Sequence, residues 1–332
     1  MMLDEKKLVE EITSMKEETT NIFFVGCGGS FNDLFPAHYF VEGESKQLHS
    51  TCKFARELTL LNPPAWGENS ITIVLSHSGN TPEAVEAAKF AKKNGSFVIA
   101  ITNEIDSKLA DKNVSDFLAI YEWGEDASHV DQPMGVVYRI INEFLHQTED
   151  SYEKYEEMKK GLNKIDGIIE KAKEVQLSAA RQFAQNYRKQ NFLYILGSGA
   201  NTSHAYGFSI CSLMEMQWMD CAFINSAEFF HGPFEVLQDD EVYIQCVNVG
   251  QTRVLDTRSR DFIKKYNGQL ETIDAKDFGL DTIDGSVIDY FNPMVFYEMG
   301  VLYRDQLGEK RGHPTDVRQY MGKVDYSYEP II

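Results

Sequence analysis

Positive charge is scarce in this sequence: 32 Lys and Arg stand against 51 Asp and Glu, a formal net charge of −19. Such a chain repels phosphate backbones and anionic lipid surfaces, which argues against nucleic-acid and membrane partners. Any phosphate it binds is expected to be held locally, by backbone N–H groups and hydroxyls. Cysteine pairs are missing too. The five cysteines (Cys27, Cys52, Cys211, Cys221, Cys246) are scattered, odd in number and without a CxxC pair. That favours reduced thiols over a disulfide framework or a zinc site. The eight histidines show no metal-ligand spacing, and no metal or organic cofactor is implied. No apolar run reaches the ~18 residues of a membrane span, and the MMLDEKKLVEEI terminus is unlike a signal peptide. A cytoplasmic location is expected.

What is present is a repeat. NIFFVGCGGSFNDLF, from Asn21, reads as an apolar strand, a glycine-rich turn and a helix. SITIVLSHSGNTPEAVEAAKFAKKNG, from Ser70, has the same order, and SFVIAIT is a further strand. From Asn191, NFLYILGSGANTSHAYGF echoes the first unit, and EVYIQCVNVGQTRVLDTRSRDFIKKYNG the second. Gly26 to Gly197 and Gly79 to Gly250 are both 171 positions apart, so an internal duplication is inferred. Strands alternating with helices predict an α/β chain with two tandem parallel-sheet domains. The expected boundaries are 1–150, a helical connector at 151–178, a second domain at 179–303 and a polar tail at 304–332.

The duplication separates scaffold from specialised site. Ser76-His77-Ser78-Gly79-Asn80-Thr81 in the first half corresponds to Val247-Asn248-Val249-Gly250-Gln251-Thr252 in the second, where valines replace both serines. Glu228 falls opposite Glu57, but His231 and Gly232 fall opposite Leu60 and Leu61. His231 is therefore outside the shared scaffold.

The SHSGNT turn lies between a strand and a helix, where N–H groups without intrahelical partners and the helix dipole favour an anion. Ser30, Ser76, Ser78 and Thr81 suit a phosphate monoester. Ser78 or Thr81 capping the helix that Pro82 begins is the competing explanation. GCGGS lacks the third glycine of a dinucleotide fingerprint, with Phe31 in its place, and no GxxxxGK[ST] occurs. In AYGFSICSLMEMQWMD, Glu215 is the only acid in about a dozen otherwise uncharged residues, with Cys211 and Ser212 about one turn earlier. Apolar surroundings would suit such a carboxylate to proton transfer at neutral pH; the alternative is a residue on the helix's wet edge. His231, in AEFFHGPFE, taken alone reads first as a hydrogen-bonded turn histidine before Gly-Pro. Taken together, Glu215 and His231 form a candidate acid–base pair.

GCGGS, SHSGNTPE, MEMQW, AEFFHGP and the duplication resemble the double-SIS phosphosugar proteins, typified by the isomerase domain of glucosamine-6-phosphate synthase. GNTPE, ICSLMEMQW, VIDYFN and HPTDVRQYMGKVDY resemble, more narrowly, the fructosamine-6-phosphate deglycases. The resemblance implies two SIS domains, phosphate binding by Ser30, Ser76, Ser78 and Thr81, proton transfer by Glu215, and ring opening by His231. Gly29, Ser198 and the tail's Lys323 are further expected substrate contacts. The synthases' Schiff-base lysine is Ser212 here. The implied partner is a phosphorylated sugar–amino-acid conjugate, and the implied assembly is at least a homodimer, with the HGP histidine crossing between subunits. An aldose–ketose isomerase, a glucosylamine-6-phosphate deglycase and a non-catalytic sugar-phosphate sensor are the alternatives. Arg253, Arg311, His313 and Arg318 are candidate contacts for the amino acid's carboxylate.

Overall fold

The computed structural model describes residues 3–16, 18–326 and 328–330. The chain divides into two compact units, one ending at Leu162 and the other running from Asn163 to Tyr326, with Tyr328 belonging to the first.

The first unit contains α1 (Glu5–Met15), β1 (Asn21–Gly26), α2 (Gly29–Glu44), β2 (His49–Phe54), α3 (Ala55–Leu61), β3 (Ser70–Leu75), α4 (Pro82–Lys93), β4 (Phe97–Thr102), β5 (Phe117–Ile120) and α5 (Pro133–Thr148). Its five strands pair in parallel in the order β2-β1-β3-β4-β5. SITIVL and FVIAIT are buried throughout, as expected of central parallel strands covered on both faces. The edge strand, HSTCKF, stays partly exposed. Helix α4 starts with Pro82 at its first turn and ends with Lys92 and Lys93, matching the helix dipole at its C-terminal end. Its Ala84, Ala87, Ala88 and Ala91 let it lie close to the sheet, against Phe23, Val74, Val98 and Trp66.

The boundary between the units falls inside α6 (Tyr155–Tyr187), which runs further than the connector expected from the sequence. The second unit holds β6 (Phe192–Gly197), α7 (Thr202–Gly207), β7 (Asp220–Asn225), β8 (Val242–Val247), α8 (Arg253–Lys265), β9 (Gln269–Asp274) and α9 (Asn292–Arg311). Its four parallel strands take the order β7-β6-β8-β9.

Strand register carries the duplication into three dimensions. Asn21 pairs with His49 and Phe192 with Asp220; Phe23 pairs with Thr72 and Tyr194 with Tyr243. Every member of the second pairings is 171 positions beyond its counterpart. At the fourth strand the offset becomes 172, since Thr72 pairs with Val98 but Tyr243 with Leu270. The second unit therefore has one residue more than the first between its third and fourth strands.

The structure departs from the sequence reading at two helices. The stretch after α7 is not α-helical: Phe208–Glu215 is a π-helix. Helix α9 continues through the polar RDQLGEKR segment to Arg311, beyond the point where apolar periodicity lapses at Tyr303. Leu307 is fully buried and anchors this last stretch, which ends at Gly312 with a left-handed backbone. Among the described residues no helix is long and apolar enough to cross a membrane.

Candidate active site

In the first unit the strand order reverses between β1 and β3, and ligands in open α/β sheets bind beyond the C-terminal ends of strands at such a switch point. Ser30 lies just past β1, in the first turn of α2, and the Ser76–Thr81 turn lies just past β3. Ser76 is buried, and its hydroxyl hydrogen-bonds Thr81 Oγ1 at 2.9 Å. Thr81 is the N-cap of α4 yet makes no side-chain capping bond. Ser78 is exposed, and its Oγ accepts only locally from the Asn80 amide at 3.2 Å. The turn thus keeps its hydroxyls off the helix it precedes, contrary to the capping alternative. Gly79, at φ +61°, closes the turn; a side chain there would strike Ser107 and Thr102.

His77 projects from the same turn. Its Nδ1 is 2.6 Å from Tyr121 Oη, and its ring meets Trp123 edge-on at 5.2 Å. The histidine sat in plain view between two serines, but its aromatic partners are over forty positions away. In α2, burial pushes the Asp33 carboxyl up to about 7, against a hydrogen bond from Asn32 that favours the charged form.

The duplicated turn in the second unit is already filled. The Gln251 amide donates to Asp289 Oδ1 at 2.9 Å and Oδ2 at 3.2 Å, and a Cβ on Gly250 would lie 2.5 Å from that carboxylate. Asn292 clamps Val249 by accepting from its N–H at 2.9 Å and donating to its carbonyl at 2.8 Å. Ser198 is fully buried in the same network, where Asn248 Nδ2 reaches its Oγ at 3.3 Å and its carbonyl at 2.9 Å. Beneath it burial raises Asp256 to about 6, opposed by hydrogen bonds including that of the Asn248 amide. The second turn therefore carries an internal carboxylate where the first carries hydroxyls.

Glu215 ends the π-helix. The wider, i→i+5 turn moves Ser212 off the line it would share with Glu215 in an α-helix and leaves Ile210 and Cys211 one turn back. The expectation of apolar surroundings is corrected here. Glu215 is about one-quarter exposed; Arg318 Nε donates to its Oε1 at 2.8 Å, and Nη2 lies 2.8 Å from the same oxygen in an ion pair. Arg318 Nη1 is held by the carbonyls of Thr315 at 2.6 Å and Val317 at 3.1 Å, and Lys323 Nζ donates to the Arg318 carbonyl. Lys323 itself is exposed.

His231 is exposed on a turn that replaces α3 of the first unit. Phe229 is fully buried, and Phe230 packs edge-on with Phe262 of α8 at 5.3 Å and beneath the Arg258 guanidinium at 3.9 Å. Those phenylalanines fix the turn so that the histidine between them and Gly232 faces outward. Glu228 is exposed, as its counterpart Glu57 is.

Glu215 and His231 are not brought together within the unit. The crossovers β6-to-β7 and β7-to-β8 run in opposite directions across the sheet, and right-handed crossovers then lie on opposite faces. The π-helix of Glu215 packs on α9, and the turn of His231 packs on α8. Of the other candidate cations, Arg253 is committed to Asp274 by two 2.7 Å bonds, and Arg311 donates to the carbonyls of Arg188 at 3.0 Å and Gln217 at 3.3 Å. His313 packs edge-on to Trp218 at 4.5 Å.

Comparison with known proteins matches residues 36–123 to the SIS domain. The chain is similar to fructosamine deglycase FrlB of Bacillus subtilis (strain 168), with 39% identity over 306 residues, 92% of each chain. It is also similar to the fructoselysine 6-phosphate deglycase of Escherichia coli (strain K12), with 23% identity over 325 residues, 96% of this chain and 90% of that one. Among solved structures, one described as a phosphosugar isomerase from Bacillus subtilis superimposes with a TM-score of 0.91 at 38% identity, covering 97% of both chains.

Proposed function

Since this chain belongs to the SIS-domain family of phosphosugar isomerases and deglycases, and is an enzyme of that kind, we propose that it is a fructosamine-6-phosphate deglycase. It converts a fructose–amino-acid 6-phosphate and water to glucose 6-phosphate and the free amino acid. The observation that carries this reading is the Ser76–Thr81 turn, whose N-cap hydroxyl pairs with a neighbouring serine and leaves the helix uncapped.

Ser30, Ser76, Ser78 and Thr81 hold the phosphate, with the N-terminus of α4 supplying N–H groups and favourable potential. His231 assists ring opening by proton transfer between the ring oxygen and the anomeric hydroxyl. Glu215 takes a proton from C1 of the open-chain ketose amine while O2 is protonated, giving a 1,2-enaminol. It then returns a proton to C2, so the carbonyl character moves to C1 as an imine. Water adds to that imine and the amine leaves. The substrate supplies the imine nitrogen, so Ser212 suffices where synthases carry a lysine.

Glu215 and His231 lie on opposite faces of one sheet, which favours a homodimer in which His231 of the partner subunit completes the constellation. The proposal is tested with substrate carrying two deuterons at C1. Glucose 6-phosphate with one deuteron at C1 supports it; fructose 6-phosphate retaining both would refute it. A glucosylamine substrate has a single C1 hydrogen, which this chemistry never removes.

A further inference from the structure

The substrate class proposed above carries one permanent anion besides its phosphate, the α-carboxylate of the amino acid. In the second unit Arg253 is paired with Asp274 in a bidentate fork, and Arg311 has Nη1 and Nη2 on backbone carbonyls and its Nε buried. Arg318 differs. Its Nε hydrogen-bonds the single oxygen Oε1 of Glu215 and its Nη2 approaches that same oxygen, so the two nitrogens do not meet the two carboxylate oxygens in parallel. The parallel fork is the geometry in which a guanidinium binds a carboxylate best. The pair is partly exposed on both sides, at 19% and 23%, and ion pairs open to solvent contribute little net stability. Arg318 also sits outside any helix or strand, on the segment after Gly312, where carbonyls of Thr315 and Val317 and the Lys323 ammonium organise it.

We propose that Arg318 is the recognition group for the amino acid's α-carboxylate, and that an arriving substrate takes the guanidinium from Glu215. This rests on reading Glu215 as the proton-transferring group of a deglycase. In the free enzyme the arginine occupies the carboxylate that must receive the C1 proton. The substrate's carboxylate accepts the fork in its place, and Glu215 is released toward the sugar. Charge is conserved in the exchange, because one carboxylate replaces another on one guanidinium. An enzyme built this way rejects sugar phosphates lacking a carboxylated amine both by lost binding and by an occupied base.

The test compares kcat/KM for fructose-glycine 6-phosphate with that for its decarboxylated counterpart, fructosyl-methylamine 6-phosphate. The native enzyme is expected to prefer the carboxylate by about tenfold to a hundredfold, the scale of a charge-assisted bidentate contact. Arg318→Gln should bring the two substrates within about threefold of each other, and Arg318→Lys should give an intermediate ratio. The lysine variant also answers the question should the glutamine variant fail to fold. A role confined to holding the tail would lower both rates and leave the ratio as in the native enzyme, and that result overturns the proposal alone. Equal native rates for the two substrates would also overturn it alone. Turnover of neither substrate would overturn it together with the deglycase reading.

Discussion

Glu215 and His231 stand on opposite faces of the β7-β6-β8-β9 sheet, one beside α9 and the other on a turn packed against α8. Sixteen positions apart in sequence, they are separated by strand β7 and its two crossovers. Two subunits related by two-fold symmetry can supply what one cannot. Mixing inactive Glu215→Ala and His231→Ala proteins should therefore restore activity. Random reassortment leaves half the dimers mixed, each with one intact site, so about a quarter of native activity is expected. A mixture as inactive as its components would show that the two residues act within one chain.

Each residue alone should matter to the chemical step more than to binding. Glu215→Gln and His231→Asn are each expected to lower kcat by about a hundredfold or more, with KM changed little. Steady-state measurement of glucose 6-phosphate release checks this, and near-native kcat in either variant contradicts the assignment.

The phosphate turn makes a different prediction. Ser76→Ala and Thr81→Ala should each raise KM by about tenfold while thermal stability changes by less than about 1 kcal/mol, because Thr81 caps no helix bond. Their effects should be less than additive, since the two hydroxyls share one hydrogen bond. Melting curves and inorganic-phosphate competition distinguish this from a capping role, in which stability would fall and KM would not move.

Asp33 links stability to pH. Its carboxyl titrates at about 7 when folded, above the ordinary value of 3.8, because burial disfavours its charge. The folded protein then binds more protons than the unfolded chain between about pH 4 and pH 7. The contribution from this group is fully present below about pH 4 and is lost as pH rises through about 7. Asp33→Asn should raise the melting temperature at pH 8 relative to native protein and change it less near pH 4. A difference independent of pH would contradict this.

Much of the scaffold could be read directly from the chain. The 171-residue offset between Gly26 and Gly197 recurs in the register of three strands in each unit. It also marked His231 as foreign to the shared plan, and the structure accordingly replaces α3 with the turn that bears it. The π-helix around Glu215 was not legible, because FSICSLME is apolar on nearly every side and gives no period to distinguish a five-residue hydrogen-bond step from a four-residue one. The Arg318 partner joins Glu215 across 103 positions, which local pattern does not report. The plug of the second turn was hidden similarly: Asp289 is one acid in VIDYFN, and only folding places it against Gly250. Helix α9 outran its apolar signal because its final turns are anchored by one buried leucine, Leu307, and by Arg311 on backbone carbonyls distant in sequence.

Whether the protein removes an amino acid from a phosphorylated ketose amine is decided by incubating it separately with fructoselysine 6-phosphate and fructose 6-phosphate. Glucose 6-phosphate and free lysine are expected in equal amounts from the first, with no added metal or cofactor. Isomerisation of fructose 6-phosphate, with fructoselysine 6-phosphate left intact, would contradict the deglycase reading.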